Sequence, residues 1–407
     1  MKVLLVSTSS GSHGGGEFYL RGLASGLRGL GHHPVTWLSS HSQMDPLADS
    51  FKEKELPLHR FEYLNTYHRR WRSLGAAMDR QLQRRVAGEL GRSGADIVHI
   101  NQQCLEDGLD LLRAAADCGI PAVSTIHVTR TAVSLKARAG ILRDLVCRRM
   151  LRRCGIPLVG ISPTSARDLC QFVNDHPTLA QAGEQQSTDG QRNRNTRIHD
   201  IPVYAVSNGV ALPRMEVREP LREKLGLRPT DILIGVIARI EHQKNPLFMC
   251  RLLNRLPDFV HCVWIGDGRM RPELEAEILR CDQAKRFHLL GWQNNASSWL
   301  SAFDVFALGS HYEGLPLALL EAMAAGLPCV ASRVDGTQDC LTDESDGFLC
   351  PVDDVEQWVG TLNRLIESRP FRCAIGEAAQ RRYVQEFSLE AMAERTSRVY
   401  QDVVQPH

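Results

Sequence analysis

The sequence lacks long hydrophobic runs and paired cysteines, and each absence excludes a class of protein. No uncharged apolar stretch reaches the roughly 18 residues that a membrane-spanning helix needs. The 12 cysteines include no C-x-x-C pair and no Cys/His cluster at zinc spacing, so we expect buried free thiols in a reducing compartment. The apolar run V-L-L-V near the N-terminus is too short for a signal-peptide core and predicts a first strand. We therefore expect a cytoplasmic protein.

The chain also lacks a large net charge, but its charges are unevenly distributed. With 407 residues it exceeds what one hydrophobic core usually fills, so two domains of about 200 residues are expected. Residues 1–212 carry 26 Lys and Arg against 19 Asp and Glu, and the remainder carries 22 against 28. This excess is modest and no binding motif accompanies it, which argues against nucleic acid as a partner.

Most of the basic excess is arginine, in clusters at residues 69–72, 80–85 and 143–153. Charged helix faces are common on protein surfaces, so each cluster can simply be a solvated face. The alternative is a surface that attracts anionic lipid headgroups or a pyrophosphate-linked acceptor. Both interpretations stay open at this point.

The first 31 residues predict a strand, a glycine-rich loop and a helix, which is how a doubly wound α/β fold begins. A dinucleotide fingerprint would need G-x-G-x-x-G, but after Gly14 and Gly16 the third position is Tyr19. A dinucleotide-dependent oxidoreductase thereby loses its main support. Gly15 and Gly16 would still let the backbone approach a ligand closely.

Further apolar strands are predicted near residues 35–39, 96–100, 121–126, 158–162 and 202–206, and again at 231–238, 263–265, 287–290, 304–308 and 330–332. Alternation with helical segments predicts two parallel-sheet domains. The polar segment 174–200 predicts a surface loop or lid. His127 follows a predicted strand, at the edge where open α/β sheets bind ligands, although a structural hydrogen bond is the commoner role of a histidine.

Two pairs of charged residues mark the second half of the chain. Arg239 and Lys244 lie on one predicted strand-to-helix loop, where two cations suit a diphosphate. Glu313 and Glu321 flank the start of a helix opened by Gly314, Leu315 and Pro316, whose free amides favour an anion. The pattern indicates a polyhydroxylated ligand that carries phosphate. Taken alone, Glu321 could equally cap the helix or pair with a neighbouring arginine.

The E-x7-E spacing within H-Y-E-G-L-P-L-A-L-L-E-A-M-A-A-G-L-P, together with R-x4-K-N-P at residues 239–246, resembles the nucleotide-sugar glycosyltransferases of GT-B fold, in particular retaining family 4 (group 1). The resemblance covers nearly the whole chain and is strongest in residues 231–352. It implies two Rossmann-like α/β domains that face each other across a cleft. Residues 1–212 would form the acceptor-side domain, with a C-terminal helix of about 388–407 packing back on it, and residues 213–387 the nucleotide-sugar-binding domain.

The resemblance also implies a role for each candidate residue. Catalytic roles would fall to residues that clamp the diphosphate or hold the donor sugar: Arg239, Lys244, Glu313 and His127. Relatives usually place Asp after this histidine, where the present chain has Val128. Glu321 would bind the ribose, and other donor contacts would come from Gly15, Gly16, Gly291, Gly314 and Leu315.

The implied activity is transfer of a hexose or N-acetylhexosamine from a nucleotide diphosphate donor, with UDP the expected nucleotide, to a saccharide or lipid-linked saccharide. Transfer would retain anomeric configuration and serve polysaccharide or glycoconjugate synthesis. The arginine clusters, not the resemblance, motivate the hypothesis that the acceptor is lipid-linked and that the protein contacts the inner face of an anionic membrane. The sequence contains no D-x-D motif, so we expect no metal and no cofactor. The alternatives are a GT-B-fold nucleotide-sugar epimerase and a non-catalytic nucleotide-sugar-binding protein.

Overall fold

The computed structural model describes residues 1–11, 15–68, 72–180, 200–215 and 217–405. The chain divides into two compact units, one formed by Met1–Gly209 with Leu389–His407 and the other by Val210–Ser388. The loop residue Gly14, the basic residues 69 and 70, and residues 181–199 of the predicted lid lie outside the described residues, as does the side chain of Arg72.

The strands are short and mostly buried, as β-branched and leucine-rich runs predict for parallel sheets. They are β1 (Lys2–Ser7), β2 (His33–Ser39), β3 (Leu58–Phe61), β4 (Ile97–Cys104), β5 (Ala122–Val128), β6 (Leu158–Gly160), β7 (Val203–Ala205), β8 (Ile232–Ile237), β9 (Val260–Ile265), β10 (Phe287–Gly291), β11 (Val305–Leu308), β12 (Cys329–Ser332) and β13 (Phe348–Cys350).

The helices fall mostly between consecutive strands, which is the order that parallel pairing requires. They are α1 (Gly15–Gly29), α2 (Asp45–Lys52), α3 (Arg72–Met78), α4 (Arg80–Gly91), α5 (Leu109–Asp117), α6 (Gly140–Cys154), α7 (Pro163–Asn174), α8 (Glu219–Lys224), α9 (Pro246–Leu253), α10 (Arg271–Arg280), α11 (Leu317–Ala324), α12 (Asp335–Cys340), α13 (Val355–Glu367), α14 (Arg369–Arg382) and α15 (Leu389–Val404).

Each unit contains one parallel sheet whose strand order reverses once. The order is β3-β2-β1-β4-β5-β6-β7 in the first unit and β10-β9-β8-β11-β12-β13 in the second. Strand β1 therefore lies beside β4, and β8 lies beside β11. In open α/β sheets ligands bind outside the carboxyl ends of the strands at such reversal points. This topology gives each unit one expected ligand edge.

Apolar layers cover both faces of the first sheet, as a doubly wound fold requires. Alternate residues of β1 point to opposite faces, so Leu4 and Val6 join one buried cluster while Val3 and Leu5 join another. In the second unit Ile234 of β8 belongs to a core that also contains Trp264. The expectation of two Rossmann-like α/β units is confirmed.

Helix α15 belongs to the first unit and packs on α1. Two glycines of α1 allow the close approach, because a Cβ atom at Gly26 would lie 2.7 Å from the Cβ of Ala393, and one at Gly22 would lie 2.8 Å from the Leu389 side chain. The Tyr400 hydroxyl of α15 is 2.6 Å from Nδ1 of His99 on β4. The last helix of the chain is thus anchored to the first sheet by packing and by a buried hydrogen bond.

Strand β3, like the three-residue strand β13, is absent from the strands that we predict from the sequence. It is an edge strand, paired on one side only with β2, and its four residues L-H-R-F include two polar side chains. A short strand of this kind carries too few apolar residues to produce a clear pattern.

Candidate functional site

The loops that follow β8 and β11 meet at the Glu313 carboxylate. Nζ of Lys244 lies 2.6 Å from Oε1 of Glu313, and the Ser310 hydroxyl donates to the same oxygen at 2.5 Å. The side chains of Lys244 and Glu313 are only 15% and 5% exposed. Among the described residues no donor reaches Oε2 of Glu313, so that oxygen can accept a hydrogen bond from a ligand. Lys244 and Ser310 thus fix the carboxylate through Oε1 and leave Oε2 free to accept.

Three further contacts hold these two loops together. The Gln243 side-chain amide donates to the Tyr312 carbonyl at 2.9 Å, and the His311 N–H donates to the Gln243 carbonyl at 2.8 Å. The His242 and His311 rings stack with centroids 4.9 Å apart. Every one of these contacts joins the β8 loop to the β11 loop. The relative positions of Lys244 and Glu313 therefore do not depend on their ion pair alone.

The next residues, Gly314 and Leu315, lead directly into α11. The Gly314 carbonyl packs so closely on Gly336 at the start of α12 that a Cβ atom there would overlap it. Within the described part of the chain no backbone carbonyl accepts from the N–H of Gly314 or Leu315. The amides that precede this helix are therefore available to an anion, as the sequence predicts.

Glu321 is the fifth residue of the largely apolar helix α11, and its side chain is mostly but not completely withdrawn from solvent. Burial alone raises the pKa of its carboxyl to about 7. No basic side chain of the described residues forms an ion pair with it, so the predicted alternative of an arginine partner is wrong. An ionised carboxylate at this position needs a polar ligand to replace the lost water.

Arg239 and Gly291 lie at the same edge of the second sheet, after β8 and at the end of β10. Arg239 is exposed, and its guanidinium donates a 3.4 Å hydrogen bond to the Gln243 side chain. Gly291 has a φ of +67°, a conformation that favours glycine, and its carbonyl accepts from Gly266 N–H at 2.8 Å.

In the first unit His127 is a buried residue of β5, held by Asn101 on the neighbouring strand. The distance between His127 Nε2 and Asn101 Oδ1 is 2.8 Å, and the Asn101 amide donates to the Gly16 carbonyl at 3.1 Å. Because Asn101 presents its oxygen, Nε2 carries the proton and Nδ1 is the acceptor. Burial lowers the pKa of His127 to about 4, so the ring is neutral at pH 7.

A Cβ atom at Gly16 would meet the amide end of the flexible Gln103 side chain, whereas Gly15 is the exposed first residue of α1. Behind His127, the hydroxyl of Tyr19 lies 3.2 Å from Thr125, which also contacts His99 at 2.8 Å. This buried network connects the strands that carry His127 and Asn101.

The structure thus groups the predicted residues in two sets. The second unit contains Arg239, Lys244, Gly291, Glu313, Gly314, Leu315 and Glu321, and the first contains Gly15, Gly16 and His127. No three His, Cys, Asp or Glu side chains of the described residues converge as metal ligands would.

Sequence reasoning missed Ser310, Gln243 and Asn101, which orient Glu313, the β8 loop and His127. Ser310 follows β11 and Asn101 lies in the second half of β4, and these positions are the signal that could have identified them; Gln243 lies further along the loop after β8 and has no such signal.

Two family models match the chain. The model described as Glycosyl transferases group 1 matches residues 217–382, and the Glycosyl transferase 4-like domain matches residues 14–177. Together they cover most of both units.

Curated relatives match over part of their length. An Escherichia coli UDP-Gal:alpha-D-GlcNAc-diphosphoundecaprenol alpha-1,3-galactosyltransferase is 30% identical over 51% of this chain and 56% of its own. A lipopolysaccharide core biosynthesis mannosyltransferase of Rhizobium meliloti is 27% identical over 50% of this chain and 62% of its own. The chain therefore spans little more than half the length of the curated relatives it matches.

Solved structures resemble the whole chain in fold. Anabaena HepE in complex with UDP superposes with a TM-score of 0.76 at 19% identity, covering 99% of this chain and 100% of that one. Sucrose-phosphate synthase from Thermosynechococcus elongatus gives a TM-score of 0.72 at 17% identity, covering 98% of each chain. At these identities the similarity shows the fold alone.

Proposed function

Because the chain belongs to the group 1 glycosyltransferases of GT-B fold, we propose that it transfers a hexose or N-acetylhexosamine from a UDP-sugar to a saccharide or lipid-linked saccharide, with retention of configuration. In this reaction the bond between the anomeric carbon and the β-phosphate oxygen breaks, and a bond from the anomeric carbon to an acceptor oxygen forms. UDP leaves with the bonding electrons, and the proton of the acceptor hydroxyl passes to the departing phosphate oxygen or to solvent.

The observation that carries this proposal is the Lys244, Glu313 and Ser310 cluster at the point where the second sheet reverses its strand order. Negative charge grows on the departing β-phosphate, and preorganised positive groups stabilise it best. Lys244, exposed Arg239 and the free amides of Gly314 and Leu315 would supply that stabilisation without a metal. Glu313 would accept a hydrogen bond from a sugar hydroxyl through Oε2, and Glu321 would accept from the ribose.

The donor nucleotide and the acceptor are inferred from what is known of similar proteins. Anabaena HepE has been solved with UDP and with UDP-glucose, which supports a uridine donor. The Escherichia coli relative acts on a diphosphoundecaprenol-linked sugar, which supports a lipid-linked saccharide as acceptor. In the first unit we propose that neutral His127 accepts a hydrogen bond from the donor sugar through Nδ1, and that the surrounding strand ends bind the acceptor.

A thermal stability screen against nucleotide sugars tests the donor site directly. A donor at about 100 times its dissociation constant should add roughly 2.7 kcal/mol to the free energy of unfolding. We expect a UDP-sugar to raise the melting temperature of the wild type, and Glu313→Gln and Lys244→Met to lose most of that shift. Lys285→Met, which removes an exposed lysine of the same unit, should keep it.

Product analysis then separates the alternatives. Incubation with a donor, in buffer containing a metal chelator, should yield UDP and a glycosylated lipid-linked acceptor, and NMR of the new linkage reports its configuration. An epimerised sugar nucleotide would instead indicate the epimerase. A donor-induced shift with no turnover on any acceptor tested would favour the non-catalytic binding protein, and the absence of any shift would contradict the proposed donor site.

A further inference from the structure

Helix α6 and the loop before it display an unusual concentration of exposed apolar side chains on the first unit. The exposed fraction reaches 79% for Ile141 and 61% for Leu145. Large apolar side chains on a soluble surface are usually scattered singly, so a cluster within 18 residues indicates a surface that binds a partner. We call it the α6 surface, and its apolar members are Val128, Val133, Leu135, Ile141, Leu142 and Leu145.

The α6 surface is separate from the side of the helix that builds the core. Cys147 and Leu151 are buried in the core of the unit. Ile141 and Leu145 are four positions apart and share the opposite face, and Arg149 continues the same row. The helix therefore has apolar residues on two faces, and only one of them is used for folding.

The preceding loop is fixed to the helix and extends the same surface. The Asp144 carboxylate accepts from the backbone N–H of Ala132 at 2.7 Å and of Val133 at 3.0 Å. A Cβ atom at Gly140 would lie 3.0 Å from the backbone nitrogen of Val133, so loop and helix start are in close contact. The exposed side chains of the loop thus belong to one structured surface together with those of the helix.

The charge on this segment is predominantly positive. Residues 128–154 contain eight Lys and Arg and one acidic residue, Asp144. Three of the arginines pair with acids elsewhere, since Arg143 contacts Glu106 and both Arg148 and Arg152 contact Asp175. The exposed basic residues that have no ion pair among the described residues include Lys136, Arg138, Arg149 and Arg153.

We propose that the α6 surface docks on an anionic lipid bilayer, with Ile141, Leu142 and Leu145 entering the interfacial region and Arg149 and Arg153 contacting lipid headgroups. Apolar side chains next to basic ones match the interface between acyl chains and anionic headgroups. A second copy of the chain fits less well, because pairing through the same face would bring two sets of cations together. None of the described helices is long and apolar enough to cross a bilayer, so the contact would be made on the surface of the membrane.

The location of the α6 surface connects it with catalysis. Val128 is the last residue of β5 and directly follows His127, so the apolar surface begins at the edge where we propose that the acceptor binds. An acceptor carried by a lipid would then enter from the same membrane that the surface contacts. This last step rests on the proposed function, whereas bilayer docking itself does not require turnover.

Co-sedimentation with vesicles tests the docking. The probes are vesicles of phosphatidylcholine alone and vesicles containing about one third phosphatidylglycerol. We expect the full chain to bind the anionic vesicles and to bind the neutral ones at least tenfold more weakly. The double variants Ile141→Ser with Leu145→Ser, and Arg149→Glu with Arg153→Glu, should each weaken binding about tenfold. Salt should weaken the remaining binding of the serine variant more than that of the glutamate variant, because only the serine variant keeps both arginines.

Matched controls separate this proposal from misfolding and from failure of the proposed function. Leu279→Ser removes a side chain that is 72% exposed in the second unit and should leave vesicle binding unchanged. The UDP-induced rise in melting temperature should be equal in all variants. Equal sedimentation of wild type and both double variants, or no binding of the wild type to anionic vesicles, would overturn the proposal. Self-association that the serine variant abolishes, without vesicle binding, would instead assign the surface to a second copy.

Discussion

The Glu321 carboxyl should lower the stability of the protein at high pH. It should also bind nucleotide more tightly than the side-chain amide of a Glu321→Gln variant would. Its pKa is raised to about 7 by burial, compared with 4.5 for an exposed glutamate. Between pH 4.5 and about pH 7 the unfolded chain has released this proton, whereas the folded chain keeps it. Stability associated with the protonated carboxyl is therefore complete below pH 4.5 and is lost as the pH rises through 7.

The size of this effect follows from the two pKa values. At about 1.36 kcal/mol per pKa unit, the folded state should lose up to about 3 kcal/mol by pH 8 and less than about 1 kcal/mol by pH 5. Glu321→Gln removes the titration while keeping the shape of the side chain. We expect the variant to exceed the wild type in stability by about 3 kcal/mol at pH 8 and to approach it at pH 5.

Urea unfolding at the two pH values, without nucleotide, measures this difference. Glu367→Gln changes an exposed glutamate of the same unit and should show no pH-dependent difference. Titration with UDP at pH 8 should show about tenfold weaker binding to Glu321→Gln, because hydrogen bonds to charged groups contribute about 1.5 to 3 kcal/mol and neutral ones less. Equal stability of variant and wild type at pH 8 would refute the argument that burial disfavours the ionised Glu321 carboxyl.

Three further predictions concern contacts between loops and strands. Lys244→Met should lower the free energy of unfolding by about 2 to 3 kcal/mol, because it leaves the Glu313 carboxylate buried without its cation; adding Glu313→Gln should restore much of it in a urea double-mutant cycle. Asn101→Asp should raise the pKa of His127 from about 4 by at least about one unit, measured by NMR titration, since a carboxylate favours the charged imidazole. Gly336→Ala should weaken UDP binding in a calorimetric titration, because the added Cβ displaces the loop that bears Glu313.

Each of these predictions has a control or a contradicting result. Gly360→Ala adds a methyl group to a helical glycine with nothing within 4 Å and should stabilise the protein by up to about 1 kcal/mol. A stability loss that persists in full when Lys244→Met is combined with Glu313→Gln would show that the carboxylate is not the source. An unchanged His127 pKa in Asn101→Asp would mean that the two side chains do not interact in solution.

The sequence predicted the elements well where apolar runs were dense. Strands such as β1, β8 and β11 follow from uninterrupted β-branched and leucine runs, whereas β3 was missed because two of its four residues are polar. The identity of the charged residues at the second unit's ligand edge was also visible, since Lys244 and Glu313 stand in distinctive motifs. Their roles in donor binding remain predictions. The arginine clusters could not be sorted into paired and exposed residues, because their partners, such as Asp175, are distant in sequence.

The amino-acid sequence by itself determined the fold class, because alternating apolar strands and helices permit only a parallel α/β arrangement. It also determined which residues have side chains suited to catalysis or ligand binding. Only the tertiary structure decided which of them meet. The reversal of strand order sets β8 beside β11, which brings Lys244 and Glu313 to 2.6 Å across 69 positions of sequence and adds Ser310 to the same oxygen. Burial, which raises the pKa of Glu321, depends likewise on neighbours that only folding supplies.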